Sequence, residues 1–495
     1  MNLKKQNILI LLCISIICVK VFSQSDTIYL SLEKCKEIAF EKNYGIKISE
    51  SQVVIAENIR KSAKTNYFGQ LSLGGQYQLT NKPFQVLNGN VFLPVVPFWS
   101  IDQGTMDLRP DILQNPLLNG IVINPATGEV IRDPQGNPLF FFYSYLPAEQ
   151  LKFGTHHNFL FGPGFIQPVY LGSKIRNAYR IAKSTRNIAE IQLESEKKEL
   201  IYKVEEAYWR IIDLQEKLKL TETAQEFLNR LYYDVNNFHE EGIVTKLELL
   251  QVEMKLTELE LNKTKLENGL RISYMALNQI MGLDPHTQVF LSDNAEKINV
   301  YPPPSAVEKT LVYNRNEIKI LDETTNISLA QQEIFKSRFL PNVNLMANYL
   351  FMNPNPYKGF DKSFGSDWTA GINIQIPITH WGDRIYTMRA SNEIVEIARL
   401  KREEAVSLII LDMNLAWNNY TEAIKNLNLL KKSMELAAEI LRVAQDNYDE
   451  GIISVSKLLE AETNYVKAQT EYVEAKTKLK LCELEYLKKT GELKF

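Results

Sequence analysis

The sequence predicts a two-part fold, in which strands suited to a lipid bilayer join pairs of very long helices. Three observations support this prediction: an apolar leader at the start of the chain, an internal duplication, and two proline-free helical stretches far longer than a globular domain needs. After the leader, no apolar segment reaches the roughly 20 residues that a membrane-spanning helix requires. Any membrane crossing by the mature chain is therefore expected to use strands.

The leader has the order of a secretory signal peptide. Lys4 and Lys5 precede an apolar run from Ile8 to Ile17, and we expect cleavage near Gln24. The predicted divisions are 1–23 for the signal peptide, 24–295 for a first repeat and 296–495 for a second. The net charge of -3 shows no basic excess of the kind that nucleic-acid binding uses, so nucleic acid is not an expected partner.

The duplication is visible when the chain is aligned with itself at an offset of about 209 residues. Trp209 then meets Trp417, and Glu241-Gly242-Ile243 meets Glu450-Gly451-Ile452. Upstream the offset grows, because the first copy carries an insertion that spans residues 81–158. Each copy is predicted to contain two strands, a long helix, a short turn and a return helix.

The long helices are predicted from Ser173 to His239 and from Asp383 to Asp449, and the return helices from Thr245 to Ile280 and from Ser454 to Lys489. At 1.5 Å per residue, each long helix spans roughly 100 Å. Apolar residues at alternating steps of three and four predict a coiled-coil seam along each return helix. In the second return helix this seam comprises Leu458, Ala461, Tyr465, Ala468, Tyr472, Ala475, Leu479, Cys482 and Tyr486.

Four segments alternate between apolar and polar residues, which is typical of strands with one face in lipid and one in water. Their apolar positions begin and end at Leu71 and Leu79, Phe159 and Val169, Val343 and Phe351, and Trp368 and Ile378. The same alternation fits an amphipathic sheet on a soluble core. Four strands are too few to close a barrel, since the smallest known barrels have about eight, so a membrane barrel would need several chains. The alternative is an exported periplasmic coiled-coil structural protein without a channel.

At the end of the last strand, Ile374-Gln375-Ile376-Pro377-Ile378 precedes Gly382, and Ile166-Gln167-Pro168-Val169 precedes Gly172 at the matching point of the first copy. With the helix-turn-helix segment Tyr448–Ala461, these residues resemble the TolC outer-membrane efflux family, and the resemblance covers nearly the whole mature chain. It implies an obligate homotrimer with a membrane β-barrel of twelve strands and a periplasmic α-helical barrel, or tunnel, of twelve helices. The implied location is the cell outer membrane.

The family resemblance also implies a function. It points to a passive exit duct of a tripartite efflux or type I secretion system, with a periplasmic adaptor protein and an inner-membrane transporter of the RND or ABC type as partners. Outer-membrane lipid would surround the barrel. Neither catalysis nor a cofactor is implied.

Particular residues acquire candidate roles from the same resemblance. The turn between long and return helix is similar to the family's adaptor-docking tip, which would comprise Gly242, Ile243, Val244, Thr245, Gly451, Ile452, Ile453 and Ser454. The two glycines could also serve only to turn the chain. Glu460 falls where family members place a carboxylate that narrows the tunnel, and Lys457 falls where a second acid is expected. Both are gate candidates, although Glu460 would equally suit a solvated helix face.

The insertion is expected outside the cell, where membrane barrels keep their longer loops. Its apolar runs Val95–Trp99 and Phe140–Phe142 are expected to pack within it, because an exposed cluster of that kind is costly. Cys35 and Cys482 lie on apolar stripes and are expected to be buried. No His or Cys spacing in the sequence matches a metal site.

Overall fold

The computed structural model describes residues 28–82, 84–85, 89–148, 152–153, 155–292, 302, 306–358 and 362–493. The predicted signal peptide, residues 1–23, and the predicted boundary between residues 295 and 296 lie outside them. The chain divides into two compact units. The helical unit contains the described residues up to Thr65, Ser173–Arg338 and the chain from Thr379 onward, and the strand unit contains Asn66–Gly172 and Phe339–Ile378.

The helical unit holds seven α-helices among the described residues. They are α1 (Leu32–Lys42), α2 (Tyr44–Thr65), α3 (Lys174–Glu240), α4 (Lys246–Met281), α5 (Asn316–Ser337), α6 (Asp383–Asp449) and α7 (Val455–Thr490). The predicted bounds of the long helices α3 and α6 and of the return helices α4 and α7 are confirmed to within one residue. Each long helix has 67 residues and contains no proline, so nothing removes a hydrogen bond from its interior.

Apolar seams hold each return helix against its long helix. In the second pair, Ala416, Tyr420 and Ala423 of α6 pack against Ala475 and Leu479 of α7, so the predicted seam is confirmed. A larger core lies around the middle of α3, where Tyr208, Ile211 and Ile212 contact α1, α4 and a short parallel pair of strands, β1 (Ile28–Leu30) and β8 (Val289–Leu291). Cys35 is buried in that core, Cys482 is half-buried rather than buried, and the two do not form a disulfide with each other.

The strand unit is built on one four-stranded antiparallel sheet. Its strands are β2 (Gln70–Leu79), β7 (His157–Leu171), β9 (Asn342–Asn353) and β10 (Gly365–Gln375), and their order across the sheet is β10, β9, β7, β2. All four predicted strands are confirmed. The last ends at Gln375 rather than near Ile378. Pro377, which has no N–H to donate, lies in the segment that leaves the sheet.

The insertion between β2 and β7 folds around a small core of its own. Ile112, Ile121 and Phe140 are buried there, with Val96 and Val130 against them. Four short strands pair across it: β3 (Phe84–Gln85) with β6 (Lys152–Phe153), and β4 (Val91–Pro94) with β5 (Tyr143–Leu146). Val96 and Phe140 of the apolar runs pack on this core, as expected. For most other members of the two runs the expectation is wrong, because their side chains are exposed. The side chains left exposed are Val95, Phe98, Trp99, Phe141 and Phe142.

No described helix is both long enough and apolar enough to serve as a membrane span.

The close approach of β7 to β9 depends on a glycine. A Cβ at Gly162 would lie 1.9 Å from the carbonyl oxygen of Tyr349 on β9. A Cβ at Gly371 on β10 would meet nothing within 4 Å. Only the first position therefore requires glycine for packing.

We expect Gly162→Ala to destabilise the sheet by about 1–3 kcal/mol or more, because the added methyl group displaces backbone rather than a flexible side chain. Gly371→Ala is the matched control and should change stability by less than about 0.5 kcal/mol. The measurement is the temperature at which the folded protein converts to its unfolded form on a gel run after heating in detergent. Equal losses in the two variants would contradict this account of Gly162.

Candidate functional site at the helical tips

The first candidate tip turn, between α3 and α4, is closed by backbone hydrogen bonds and a complete helix cap. Gly242 has φ +76, a left-handed conformation that glycine adopts without strain, and the amide of Ile243 then donates to the carbonyl of Phe238 at 2.8 Å. Thr245 and Glu248 form a capping box, in which each side chain accepts a hydrogen bond from the other residue's backbone N–H. The first turn of α4 is thereby well anchored.

The second turn, between α6 and α7, repeats the backbone but lacks the cap. Gly451 has φ +73, and the amide of Ile452 donates to the carbonyl of Asn447 at 2.8 Å. Ser454 precedes α7 without a side-chain cap hydrogen bond. Lys457, which aligns with Glu248, has no oxygen to accept from the backbone, and its positive charge lies at the unfavourable end of the helix dipole. The first turn of α7 is therefore the less stable of the two.

A shared apolar cluster brings the two turns together. Val235 of α3, Val252 of α4 and Val455, Leu458 and Leu459 of α7 are buried in it. Val244 packs on the same cluster, whereas Ile243 and Ile452 are 66 % and 64 % exposed. The predicted tip residues thus separate into a buried support and an exposed end that carries one isoleucine from each copy. Around both glycines the space is open, with nothing within 4 Å of a Cβ.

The two gate candidates form an ion pair with each other. The Lys457 ammonium lies 2.8 Å from Glu460 Oε2, one turn along α7, and both side chains are well exposed. This hydrogen bond lowers the pKa of Glu460 and raises the pKa of Lys457, so both stay charged over a wide pH range. Each chain therefore presents a paired acid and base at this level rather than a lone carboxylate.

A groove of about 470 Å³ runs between α6 and α7 just inside the second turn. Ile440, Val443, Ile453 and Ala461 supply apolar lining. Charged side chains, among them Glu439, Lys457 and Glu460, also line it. Such a combination of apolar lining and charged groups suits a protein partner better than a small catalytic substrate.

No group of three or more His, Cys, Asp or Glu side chains within the described part of the chain is arranged to hold a metal ion.

The strand unit supplies the second candidate surface. The apolar side chains of the alternating strands are exposed on the sheet, with Leu73 at 80 %, Trp368 at 70 % and Ile372 at 64 %. At the sheet's edges, β2 pairs only with β7 and β10 only with β9 among the described strands. An exposed apolar face beside two open edges is unsuited to a solvated monomer.

The sequence prediction missed one structural feature of the tip, the difference in capping between the two copies. Its signal was present in the alignment, because Thr245-Lys246-Leu247-Glu248 matches the capping-box pattern and Ser454-Val455-Ser456-Lys457 does not. The Lys457–Glu460 pair could have been inferred from the spacing of three residues on one helix. The exposure of the isoleucines and the burial of Val455 required the tertiary structure.

Comparisons with known proteins identify the family of the chain. The family described as outer membrane efflux protein matches residues 142–283 and 324–485, together more than half of the chain. A curated relative, the toxin and drug export protein A of Aggregatibacter actinomycetemcomitans, is 17 % identical over 270 residues, which cover 54 % of this chain and 58 % of the relative. The chain spans less than two thirds of the length of the curated relatives it matches.

Solved structures share the fold over most of the chain. The Campylobacter jejuni CmeC outer membrane channel matches with a TM-score of 0.68 at 17 % identity, covering 93 % of this chain and 85 % of the other. The Vibrio cholerae outer membrane protein VceC matches with a TM-score of 0.66 at 13 % identity, and the match covers 93 % of this chain and 96 % of VceC. The family match therefore shows that the chain belongs to the outer membrane efflux protein family, and the solved structures show that it has the fold of TolC-like outer membrane channels.

Proposed function

We propose that three copies of this chain form the passive exit duct of a tripartite efflux or type I secretion system. The observation that carries the proposal is the four-stranded sheet, whose apolar face is exposed and whose edge strands β2 and β10 each lack a second partner among the described strands. Within a bilayer every backbone N–H and C=O must be paired, so a sheet with open edges must close on further copies of itself. Efflux family membership supports a conduit over the alternative of a coiled-coil structural protein.

The direction of the strands supports closure by identical chains. Neighbouring strands alternate in direction across the whole sheet, so β2 of one copy and β10 of the next would meet antiparallel. Three copies would give twelve strands, an even number of the kind that bacterial barrels have. The two repeats of each chain, 24–295 and 296–495, would then contribute two strands and two tunnel helices apiece.

At the other functional surface, the exposed tip would dock a periplasmic adaptor, which in turn contacts an inner-membrane pump of the RND or ABC type. Support comes from the exposed isoleucines at the ends of both turns and from the groove beside the second turn. Apolar side chains surrounded by polar residues are typical of a surface that a partner covers. The chain itself performs no chemical step in this proposal.

The barrel proposal predicts a disulfide between copies at the sheet edges. In a Cys35→Ala, Cys482→Ala background, Gly74→Cys on β2 should cross-link with a cysteine at or near Gly371 on β10, because both positions lie on the non-apolar face and have room for a side chain. A scan over residues 369–373 allows for the unknown register. Mass spectrometry of the linked peptide and migration on a non-reducing gel measure the product.

The control places the second cysteine at Met346 on β9, which is paired on both sides within its own chain and should give no link. Recovery of the wild-type chain as a soluble monomer without detergent would overturn the barrel proposal.

The docking proposal predicts that the double variant Ile243→Glu, Ile452→Glu assembles normally but binds its adaptor at least about tenfold more weakly, which corresponds to about 1.4 kcal/mol. Gly451→Asn is the control, since asparagine tolerates the left-handed turn and leaves both isoleucines in place. Oligomer size in detergent and affinity for a purified periplasmic adaptor from the same organism are the two measurements. Loss of the oligomer in the double variant would mean that the turns are only architectural.

For the gate, Glu460→Ala should lower the preference for cations in single-channel recordings, and Lys457→Gln should raise it. The physical reason is that Lys457 neutralises a carboxylate which would otherwise attract cations to the passage. The cation preference of the double variant Lys457→Gln, Glu460→Ala should lie between those of the two single variants. Unchanged ion selectivity in both single variants would remove this pair from the gate.

A further inference from the structure

The two halves of α7 are attached to α3 in different ways. Toward the C-terminus of α7, two ion pairs join it to α3: Glu474 with Lys217 and Lys488 with Glu199, each with an N–O distance of 2.6 Å. From Val455 to residue 473, by contrast, every side-chain hydrogen bond and ion pair that the structure describes stays within α7. This first half, which begins at the tip, is held to α3 by apolar packing alone.

Glu462 lies in that apolar half. The antiparallel alignment set by the Lys217–Glu474 pair places Glu462 level with Asn229 of α3, next to Leu228 of the tip cluster and one turn along α7 from Leu458 and Leu459. Glu462 is only 7 % exposed, and among the described residues its carboxylate forms no hydrogen bond and no ion pair. Burial raises the pKa of Glu462 to about 7, because the charged form is poorly solvated there.

Charged groups on the surrounding helices give this carboxylate no compensation. Those at its level are exposed or already engaged, and burial is the cause of its raised pKa. On α3, Arg230 donates to the backbone carbonyl of Glu226, and the Glu226 side chain is exposed. On α6, Arg442 pairs with Glu439 and Asp446, and on α7, Lys457 pairs with Glu460 and Lys467 with Glu471. On α4, Lys255 pairs with Glu258, Lys263 pairs with Glu222 of α3, and Glu260 is exposed.

Two polar atoms near the tip are fully buried without a hydrogen-bond partner among the described residues. They are Gln251 Oε1 on α4 and the Tyr448 hydroxyl on α6. Buried polar atoms of this kind weaken the packing that conceals them. Tyr448 packs on the cluster that holds Val455 and Leu458, so its unpaired hydroxyl and the missing cap at Ser454 both weaken the attachment of the first half of α7.

We propose that Glu462 is a proton-operated latch, which holds the first half of α7 against α3 while it is neutral and releases that half when it ionises, so that the passage at the tip widens. The ionising proton goes to water. The effect on the passage rests on the proposed function as a duct, whereas the movement of α7 does not. The ion pairs at Glu474 and Lys488 would keep the second half of α7 in place and confine the movement to the tip.

The direction of the pH effect follows from the raised pKa. A carboxyl that is more basic when packed than when exposed binds its proton more tightly in the packed state, so packing is favoured at low pH. This advantage is lost as the pH rises from the ordinary value of 4.5 through about 7. Between pH 5 and pH 8 the ratio of packed to released α7 should therefore fall by roughly tenfold to a hundredfold, at one factor of ten per pKa unit.

The test uses the full-length oligomer in a Cys35→Ala, Cys482→Ala background, with nitroxide labels at Asn229→Cys on α3 and Asn464→Cys on α7, both exposed positions. The distance between labels should lengthen between pH 5 and pH 8 in the otherwise wild-type chain and stay short in E462Q, which cannot ionise. Conductance in planar bilayers should rise over the same range only where the distance changes. The matched control is E253Q, which removes the exposed glutamate that aligns with Glu462 in the first copy and should keep the wild-type pH dependence.

Should E462Q fail to assemble, E462L provides the second test, since an apolar side chain at this buried position should also keep the distance short at pH 8. A pH-dependent distance that persists in E462Q or E462L, or a wild-type distance that does not change with pH, would overturn the latch. A normal distance change in an oligomer that never conducts would leave the latch standing and contradict the duct.

Discussion

The structure depends on the requirement that every backbone polar group within a bilayer be paired. One chain supplies four antiparallel strands, and among the described strands its sheet has an unpaired edge on each side. Adding strands from within the chain is not an option, because the other described strands pair elsewhere: β1 with β8, β3 with β6, and β4 with β5. The proposed closure on identical neighbours therefore follows from strand count and strand direction rather than from any single side chain.

Duplication gives the helical unit two related tips, and the differences between them are informative. Thr245 and Glu248 cap α4 completely, whereas Ser454 and Lys457 leave α7 uncapped and place Lys457 against Glu460. The same comparison distinguishes Glu253, which is exposed, from Glu462, which is buried. In each case the second copy carries the less stabilising feature: a helix start without a side-chain cap, and a buried carboxyl group. A tip that combines one rigid hairpin with one less stable hairpin is suited to movement at a fixed position.

The insertion shows how burial depends on more than composition. Its apolar runs contain enough large side chains for a core, yet only Phe140 and Val96 from those runs enter one, beside Ile112 and Ile121. Short pairs of strands and tight turns determine which members of each run face inward. Neighbouring residues such as Phe141 and Phe142 are thereby left on the surface. Consecutive apolar residues predicted a core without indicating which side chains would occupy it.

The sequence by itself determined the elements of this protein. Helix bounds and strand positions follow from local periodicity, capping and proline placement, so α3, α4, α6 and α7 could be predicted to within one residue and the four long strands to within about three residues at most ends. The tip glycines could be predicted as well, since a left-handed turn requires them. Only the tertiary structure decided which faces meet. The burial of Glu462 arises because α7 lies antiparallel on α3, and a contact between helices more than two hundred residues apart leaves no periodic signal in either one.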